Sequence, residues 1–326
     1  MELGDNGRLV SVIITVYNRE DFIGRAIDSI LGQKDVDSEV IIVDDGSTDR
    51  SLDICNDYAV KFQNVRVIHQ ENAGLSKARN VGLDNARGDY ICFLDDDDVM
   101  TPGSLKHMLD AIEEYDADFV LGSFIRVSED GEVVTDNIMP DSIRNRVITV
   151  DEYWEASFEK IGVPLFVVNW AKLYRKQVWE GLRYPDDLRR AEDEYIMADL
   201  LKRCNRIYAT DFIVHHQAVS KSSITRCSFC TYTLKVIETK LVTTEKLMEQ
   251  GKYKYAVSKW GVPCGEVLIY TGKAATEESK AELNRLYKWS CDLGKKLFKY
   301  MDIKKKLKFL GYRFGYPFYK MTHKAR

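Results

Sequence analysis

Two hydrophobic periods alternate along the first 125 residues of the chain. Short, nearly continuous apolar runs, typical of buried parallel strands, occupy Val10 to Val16, Val40 to Val43, Val65 to His69, Tyr90 to Leu94 and Asp118 to Phe124. Stretches with helical spacing lie between these runs, at Glu20 to Leu31, from Ser47-Thr48-Asp49 to about Val60, at Leu75 to Ala86 and from Pro102 onwards. Repeated strand–helix units with short connections predict an α/β fold on a mostly parallel, doubly wound sheet.

The alternation weakens beyond residue 125. Residues 130–145 are polar and predict no regular element. The following segments predict helices at Val150 to Phe158, Tyr174 to Trp179 and Ala191 to Arg203, and short strands near Ile207 and at Phe212 to His215. After about residue 226 only helical spacing remains. We therefore predict an α/β domain over residues 1–222 and a helical C-terminal region over residues 223–326.

The composition is that of an ordinary globular protein, with 45% apolar and 30% charged residues. No stretch approaches the ~18 unbroken apolar residues of a membrane span, and residues 1–5 lack the pattern of a signal peptide, so we expect a cytoplasmic protein. Seven cysteines, an odd number, argue against a disulfide framework there. Cys227 and Cys230 have zinc-ligand spacing, but a closed zinc site needs four ligands, and we interpret this pair as structural.

The C-terminal tail is strongly basic. Residues 295–326 contain eleven Lys or Arg and one acid, a net charge of +10 in a chain of net charge −4, so the preceding residues carry −14. Aromatic residues are interleaved with the basic ones, a mix that suits an anionic membrane surface and also nucleic acid. Because the rest of the chain is acidic, we expect peripheral membrane contact and no nucleic-acid partner. A solvated tail or a contact within a homo-oligomer is the alternative.

Four consecutive aspartates, Asp95 to Asp98, directly follow the predicted strand Tyr90 to Leu94. Carboxylates crowded at a strand end repel one another unless a cation or hydrogen-bond donors neutralise them. The carboxyl edge of a parallel sheet is also where α/β proteins bind ligands. A hard divalent ion held by one or two of these carboxylates, with a diphosphate supplying further ligands, accounts for the run. An acidic loop that caps the next helix is the alternative.

Two other predicted strands end in polar residues at the same edge of the sheet. The first contributes Thr15 and Tyr17, and the second contributes Asp44, Asp45 and Thr48. Tyr17 can stack on a base, and we favour a ligand contact for Asp45, whose carboxylate can accept a hydrogen bond from a base or a ribose. Asp44 and Thr48 are more simply explained as turn residues.

Two helix starts carry charged residues that allow two interpretations each. The helix that follows Asn72 begins with Lys77 and Arg79, which together with the helix dipole favour a phosphate, or else form a solvated basic face. A later helix begins with Glu192 and Asp193, which either stabilise the dipole or supply a general base for an acceptor hydroxyl. Spacing alone does not decide between these interpretations.

Four motifs occur in the order of a known family. They are Ser11-Val-Ile-Ile-Thr-Val-Tyr-Asn18, Ile42-Val-Asp-Asp-Gly-Ser-Thr-Asp49, Asn72-Ala-Gly-Leu-Ser-Lys-Ala-Arg-Asn80 and Gly88-Asp-Tyr-Ile-Cys-Phe-Leu-Asp-Asp-Asp-Asp98. Together they resemble a family 2 glycosyltransferase with the GT-A fold, of the bacterial surface-polysaccharide type, over about residues 8–226. Three later segments are similar to weaker signatures of the family: Lys172 to Arg175, Ala191 to Glu194 and Ser223 to Thr225.

The resemblance implies a metal-dependent, inverting transfer of a sugar from a nucleotide-diphosphate sugar, which we expect to be a UDP-sugar, to a hydroxyl of a lipid-linked or polysaccharide acceptor. Asp97 would be the principal ligand of Mg²⁺ or Mn²⁺. Asp193 would be the base that deprotonates the acceptor, with Glu192 as the other candidate. The implied donor site comprises Thr15, Tyr17, Asp45, Asn72 and Arg79, with Asp95 or Asp96 on the ribose.

Some features depart from the family pattern or leave alternatives open. The QxxRW signature of processive members is missing, which favours addition of a single sugar. His215 or His216 can add a metal ligand, but neighbours in a strand point to opposite faces, so at most one can reach the ion. Trp170 and Lys172 either line the acceptor pocket or pack in the core.

Two other functions remain as alternatives. A nucleotidyltransferase on a similar sheet would normally need a Gly-rich phosphate loop near the N-terminus, which the sequence lacks. A non-catalytic protein that binds sugar nucleotides or acts as a scaffold would need neither the acidic run nor Asp193.

Overall fold

The computed structural model describes residues 8–128, 131–159, 164–186, 188, 191–219, 231–271, 273–274 and 276–315. These residues form two compact units. The first lies within residues 1–189 and 203–223, and the second within residues 190–202 and 224–326. The predicted domain boundary at residue 222 stays a prediction, because a compact unit is defined by its contacts and a domain by independent folding.

The first unit is built on a ten-stranded sheet. Its strands are Val10–Val16 (β1), Ser38–Asp44 (β2), Val65–His69 (β3), Tyr90–Asp95 (β4), Val99–Met100 (β5), Phe119–Val127 (β6), Val133–Asn137 (β7), Arg146–Ile148 (β8), Lys172–Arg175 (β9) and Ile207–Ala218 (β10). The order is β3-β2-β1-β4-β9-β6-β10-β5, with β7 on β6 and β8 on β10. Six of these strands, β1 to β4, β6 and β10, run parallel, and β9 is antiparallel between β4 and β6. The predicted α/β fold with a mostly parallel sheet is therefore confirmed.

Helices lie between the strands where the periodicity predicts them. They are Ile23–Leu31 (α1), Ser51–Lys61 (α2), Leu75–Asn85 (α3), Ser104–Glu114 (α4) and Val150–Glu159 (α5). α3 packs closely on β1 because Gly82 has no side chain: a Cβ at this position would lie 2.4 Å from Cγ2 of Ile13. This close packing fixes the start of α3 relative to the carboxyl edge of the sheet.

Three predictions about local structure were wrong. The segment Tyr174 to Trp179 is not an α-helix, because Tyr174 lies in β9 and residues 176–179 form a 3₁₀ turn. The two short strands predicted near Ile207 and Phe212 are one strand, β10, with irregular register between Ala209 and His215. The polar stretch 130–145 contains β7. In each case pairing with another strand decided the structure, and local periodicity does not report such pairing.

The second unit consists of helices: Glu192–Leu201 (α6), Thr231–Glu249 (α7), Tyr253–Thr271 (α8), Glu277–Leu297 (α9) and Ile303–Arg313 (α10). The predicted helical character of this region is confirmed. Among the described helices, none combines the length and the apolar character needed to span a bilayer. The predictions for Ser223 to Thr225, for Cys227 and Cys230, and for the tail beyond residue 315 lie outside the described residues.

Candidate active site

The carboxyl edge of the sheet brings together three of the motifs. β1 pairs in parallel register with β2 and with β4, so that Thr15 lies beside Val43 on one side and beside Asp95 on the other. Val16 lies beside Asp44 in the same register. Parallel strands end at one edge, and the polar residues that follow them therefore share one surface.

Asp45 is buried and organises the loop that leads into α3. Its Oδ1 accepts hydrogen bonds from Gln70 Nε2 at 2.7 Å and from the Ala73 backbone N–H at 2.8 Å, and its Oδ2 accepts one from the Gly74 N–H at 2.8 Å. The backbones approach closely here, since a Cβ on Gly46 would lie 2.7 Å from the Asn72 nitrogen. The predicted ligand residues Asp45 and Asn72 are thus neighbours, and Asn72 is exposed to solvent.

Asp44 and Thr48 make the turn contacts that the sequence predicts for them. Asp44 is fully buried, and its Oδ2 lies 2.7 Å from Nδ1 of His69 and accepts a hydrogen bond from the Ser47 N–H at 3.2 Å. The Thr48 N–H donates to Oδ1 of Asn18 at 2.7 Å. These contacts hold the ends of β1 and β2 together.

Two residues of the acidic run are paired with buried or half-buried arginines. Arg79 is 3% exposed and donates to Oδ1 of Asp95 at 3.1 Å. Oδ1 of Asp96 lies 3.5 Å from Nε of Arg19, and its Oδ2 accepts a hydrogen bond from the backbone N–H of Tyr17 at 3.4 Å. The predicted donor residues Tyr17, Arg79, Asp95 and Asp96 are therefore connected, and the Tyr17 side chain is largely exposed beside them.

The next two aspartates differ in their surroundings. Asp98 is 2% exposed, with Oδ2 lying 2.7 Å from Nε2 of His215 and Oδ1 accepting a hydrogen bond from the Ala218 N–H at 2.8 Å. Asp97 is only partly buried, and no described side chain donates a hydrogen bond to its carboxylate. Asp98 therefore attaches the acidic loop to β10, and Asp97 stays available to a ligand.

The electrostatics of the run match this arrangement. Burial is the main cause that raises the pKa of Asp96 and the pKa of Asp97, and the nearest carboxylate raises each of them further: Asp97 acts on Asp96, and Asp98 acts on Asp97. Arg19 lowers both pKa values but does not offset burial and repulsion. Ionised carboxylates in this position are unfavourable until more positive charge arrives.

His215, one of the two histidines that the sequence offers as an additional metal ligand, contacts the acidic run through Asp98. Burial lowers its pKa to about 4, so the imidazole is neutral at pH 7, and its Nδ1 has no hydrogen-bond partner among the described residues. Trp170 stacks on its ring at 4.4 Å. Trp170 and Lys172 are 3% and 0% exposed, and Lys172 donates to the Leu165 carbonyl at 2.8 Å. These contacts favour the core interpretation of both residues.

The donor set fits a divalent ion held mainly by its substrate. Within the part of the chain that the structure describes, no three His, Cys, Asp or Glu side chains are grouped so as to hold an ion. Mg²⁺ commonly takes only one or two carboxylates and completes its shell with phosphate oxygens and water. Asp97, with its raised pKa and no side-chain donor, has the chemistry of such a ligand.

The predicted base lies in the second unit, in the first turn of α6. Glu192 is 6% exposed, and Asp193 is partly buried. Their neighbour Glu194 lies 2.5 Å from Nζ of Lys259 on α8, and the preceding residue Ala191 has a left-handed backbone with φ of 61°. The assignment of Asp193 or Glu192 as base stays a prediction.

Known proteins share these motifs. The pattern of the family described as "Glycosyl transferase family 2" matches residues 11–178. The glycosyltransferase EpsJ of Bacillus subtilis, which is described as uncharacterised, is 34% identical over 223 residues, or 68% of this chain and 64% of EpsJ. The chain thus spans a little under two thirds of that relative.

Solved structures show the same fold. Residues 1–349 of S. aureus TarS in complex with UDP-GlcNAc align with a TM-score of 0.75 at 19% identity, covering 97% of this chain and 90% of that one. A mannosyltransferase of Pyrobaculum calidifontis, PcManGT, in complex with GDP-Man and Mn²⁺, aligns with a TM-score of 0.51 at 16% identity, covering 92% and 86%. The resemblance drawn from the four motifs is confirmed, and the chain belongs to glycosyl transferase family 2.

Proposed function

We propose that this protein is a metal-dependent, inverting glycosyltransferase that moves one sugar from a nucleotide-diphosphate sugar, a UDP-sugar in the first instance, to a hydroxyl group of a lipid-linked or polysaccharide acceptor. The observation that carries the proposal is the acidic loop after β4. Asp95 and Asp96 have arginine partners, and Asp97 has a raised pKa without a side-chain donor. This loop lies at the sheet edge where α/β proteins bind nucleotides.

The donor would bind along the ends of β1, β2 and β4. Tyr17 is 44% exposed and offers a ring for stacking on the base. Asp45 holds the loop that contains Asn72. Arg79 holds Asp95, and Asp95 or Asp96 would reach the ribose. The S. aureus neighbour was solved with UDP-GlcNAc, which supports a UDP-sugar as donor, although that likeness by itself shows the fold.

Asp97 would be the protein ligand of Mg²⁺ or Mn²⁺. The bound ion supplies Lewis-acid stabilisation of the negative charge that develops on the departing diphosphate. The Mn²⁺ in the complex of PcManGT supports this proposal. The excess of negative charge at Asp96 and Asp97 supports it independently, because a cation would relieve the cost of ionising both.

Asp193 would take the proton of the acceptor hydroxyl as that oxygen attacks the anomeric carbon. Inversion requires the attack to come from the face opposite the leaving diphosphate, so the base must come from a segment other than the acidic loop. A single direct displacement needs no covalent sugar–enzyme intermediate. Glu192, in the same turn of α6, is the second candidate for this role.

A lipid-linked or polymeric acceptor suits the synthesis of a bacterial surface polysaccharide, and this would place the enzyme in the cytoplasm at the inner face of the cell membrane. EpsJ, named only as a glycosyltransferase, supports the type of enzyme and leaves the acceptor open.

The test begins with the donor. Thermal-shift screening against UDP-, GDP-, dTDP- and CDP-sugars with Mn²⁺ identifies the donor, because stabilisation grows with the ratio of ligand concentration to Kd. Turnover is then measured by product: a glycosyltransferase releases a nucleoside diphosphate from the nucleotide sugar and an acceptor, and a nucleotidyltransferase releases pyrophosphate from a nucleoside triphosphate and a sugar 1-phosphate. Stabilisation by no nucleotide sugar, or release of pyrophosphate, would refute the proposal.

Asp193→Asn tests the base. We expect this variant to bind the donor like the wild type and to lose transfer by about 10²–10⁴-fold, the usual contribution of a general base. Glu192→Gln is the matched variant in the same turn. Near-normal turnover of Asp193→Asn would show that another residue is the base. Loss of turnover in Glu192→Gln alone would assign the base to Glu192.

A further inference from the structure

Helix α10 has apolar residues on two opposite faces, and one of these faces is packed. Phe309 and Tyr312 are 2% and 1% exposed. The Phe309 ring lies against Gly294, where a Cβ would come within 2.4 Å of it, and its centroid is 5.6 Å from that of Trp260. The Tyr312 hydroxyl lies 2.6 Å from Oγ of Ser290. These contacts fix α10 to α8 and α9.

The opposite face forms what we call the outer stripe, made of Ile303, Leu307, Leu310 and Phe314. These residues are 77%, 61%, 40% and 74% exposed. Their spacing of four, three and four residues keeps them in one line along the helix and just past its end. Single exposed apolar residues are normal on a soluble protein, but an aligned group marks a surface that contacts something apolar.

Only positive charges flank the outer stripe. Lys304 and Lys308 lie on one side of it and Lys306 and Arg313 on the other, as the helical rotation of about 100° per residue requires. Residues 303–314 contain five Lys or Arg and no acid. A helix with an apolar stripe bordered by cations is the pattern of segments that lie in the interface of an anionic membrane.

We propose that the outer stripe of α10 inserts into the surface of a membrane that carries anionic lipids. The flanking cations would contact the lipid headgroups, and the packed face would keep the helix folded before it binds, so no folding cost falls on the binding step. A second copy of this chain fits less well, because a symmetric contact through the stripe would bring two sets of four flanking cations together. The outer stripe would be the surface that holds the protein at the proposed membrane location, and this role does not depend on catalysis.

The test measures binding of the full chain to sedimented vesicles of phosphatidylcholine, with and without phosphatidylglycerol, at low salt. We expect binding to the anionic vesicles that weakens with added salt. Ile303→Ser with Leu307→Ser should weaken it by roughly tenfold or more, because two large apolar side chains are removed without any change of charge. Ile269→Ser, at a residue of α8 that is 54% exposed, is the matched control and should bind like the wild type.

Three results would overturn the proposal. Wild-type protein that binds neither type of vesicle, or binds both equally, would exclude the anionic membrane as partner. The double variant binding like the wild type would mean that charge alone attracts the tail. Self-association of the wild type in light scattering that the double variant abolishes would make the stripe a contact between copies. Equal melting temperatures of all variants establish that each is folded. Vesicle binding is measured without donor or acceptor, so a negative result here does not bear on the proposed transferase activity.

Discussion

The ends of β2 and β4 carry carboxylates at the same edge of one sheet, but the two groups of carboxylates have different surroundings. At the end of β2, Asp45 receives three hydrogen bonds from the loop before α3, and Asp44 contacts His69 and the Ser47 N–H. At the end of β4, burial and mutual repulsion raise the pKa values of Asp96 and Asp97. The first pair is held by hydrogen-bond donors of the fold, and the second pair, when ionised, carries an excess of negative charge.

This difference shows how one edge of a sheet can combine a rigid nucleotide site with a site that attracts a cation. Carboxylates that accept backbone N–H groups fix the shape of the nucleotide site, whereas carboxylates without enough donors attract a cation. Asp98 shows the limit of the distinction within the acidic run, since His215 and the Ala218 N–H occupy both of its oxygens. We therefore expect substitutions at the end of β2 to affect stability, and substitutions at Asp97 to affect the reaction.

Among substitutions at the two strand ends, the largest effect is expected for Asp97→Asn. Loss of the proposed metal ligand removes several kcal/mol of transition-state stabilisation, so Mn²⁺-dependent turnover should fall by about 10²–10³-fold. Calorimetry should show weaker binding of the nucleoside diphosphate in the presence of Mn²⁺. Asp53→Asn, at an exposed position of α2, serves as control. If Asp97→Asn bound the nucleoside diphosphate with Mn²⁺ as tightly as the wild type, Asp97 would not be the metal ligand. The ends of β2 and β4 would then not differ in cation binding.

A smaller effect on a different quantity is expected for Asp45→Asn. The amide would place its NH₂ group against backbone N–H donors, and hydrogen bonds to a charged acceptor contribute about 1.5–3 kcal/mol each. We expect the free energy of unfolding to fall by about 2 kcal/mol, with a higher KM for the donor. Denaturant titration measures the first change and initial rates the second. A stable variant with raised KM would mean that Asp45 acts on the ligand alone.

The pH dependence of stability should sharpen the comparison. A carboxyl whose pKa is higher in the folded than in the unfolded protein stabilises the fold below its ordinary pKa of 3.8, and this contribution is lost as the pH rises through the folded value. In EDTA, raising the pH from 4 to 7 should therefore destabilise the wild type more than Asp97→Asn. Melting temperatures across this range give the difference, and Mn²⁺ should reduce it. Parallel curves for the two proteins would contradict the raised pKa.

The smallest effect is expected for Thr48→Ala. The Thr48 hydroxyl lies 3.3 Å from Oδ1 of Asn18 at an exposed position, and the stronger 2.7 Å contact from the backbone N–H remains in the variant. Stability should change by less than about 0.5 kcal/mol, and the donor KM should not change. A large rise in KM would show that Thr48 contacts the donor, which the turn interpretation excludes.

The local sequence predicted strands β1 to β4 well and the later strands of the sheet less well. β1 and β3 have the predicted bounds. β1 is buried throughout, as a continuous apolar run predicts, and β3 is a shorter, mostly half-buried strand at the edge of the sheet. The sequence predicts a helix at Tyr174 to Trp179, whereas Tyr174 lies in β9. Its actual place is set by pairing with Ile91 on one side and Phe119 on the other. Pairing of this kind depends on residues far away in the chain.

The sequence by itself determined the order of β1 to β4 and of the helices between them, the position of the acidic run at a strand end and the basic character of α10, since each of these follows from neighbouring residues. Only the tertiary structure decided which carboxylates are neutralised and which face of α10 is exposed. Asp98 meets His215 from 117 positions away, and Phe309 is buried by residues of α8 and α9. Partners so distant in sequence come together only when the chain folds, and they set the burial and charge on which binding depends.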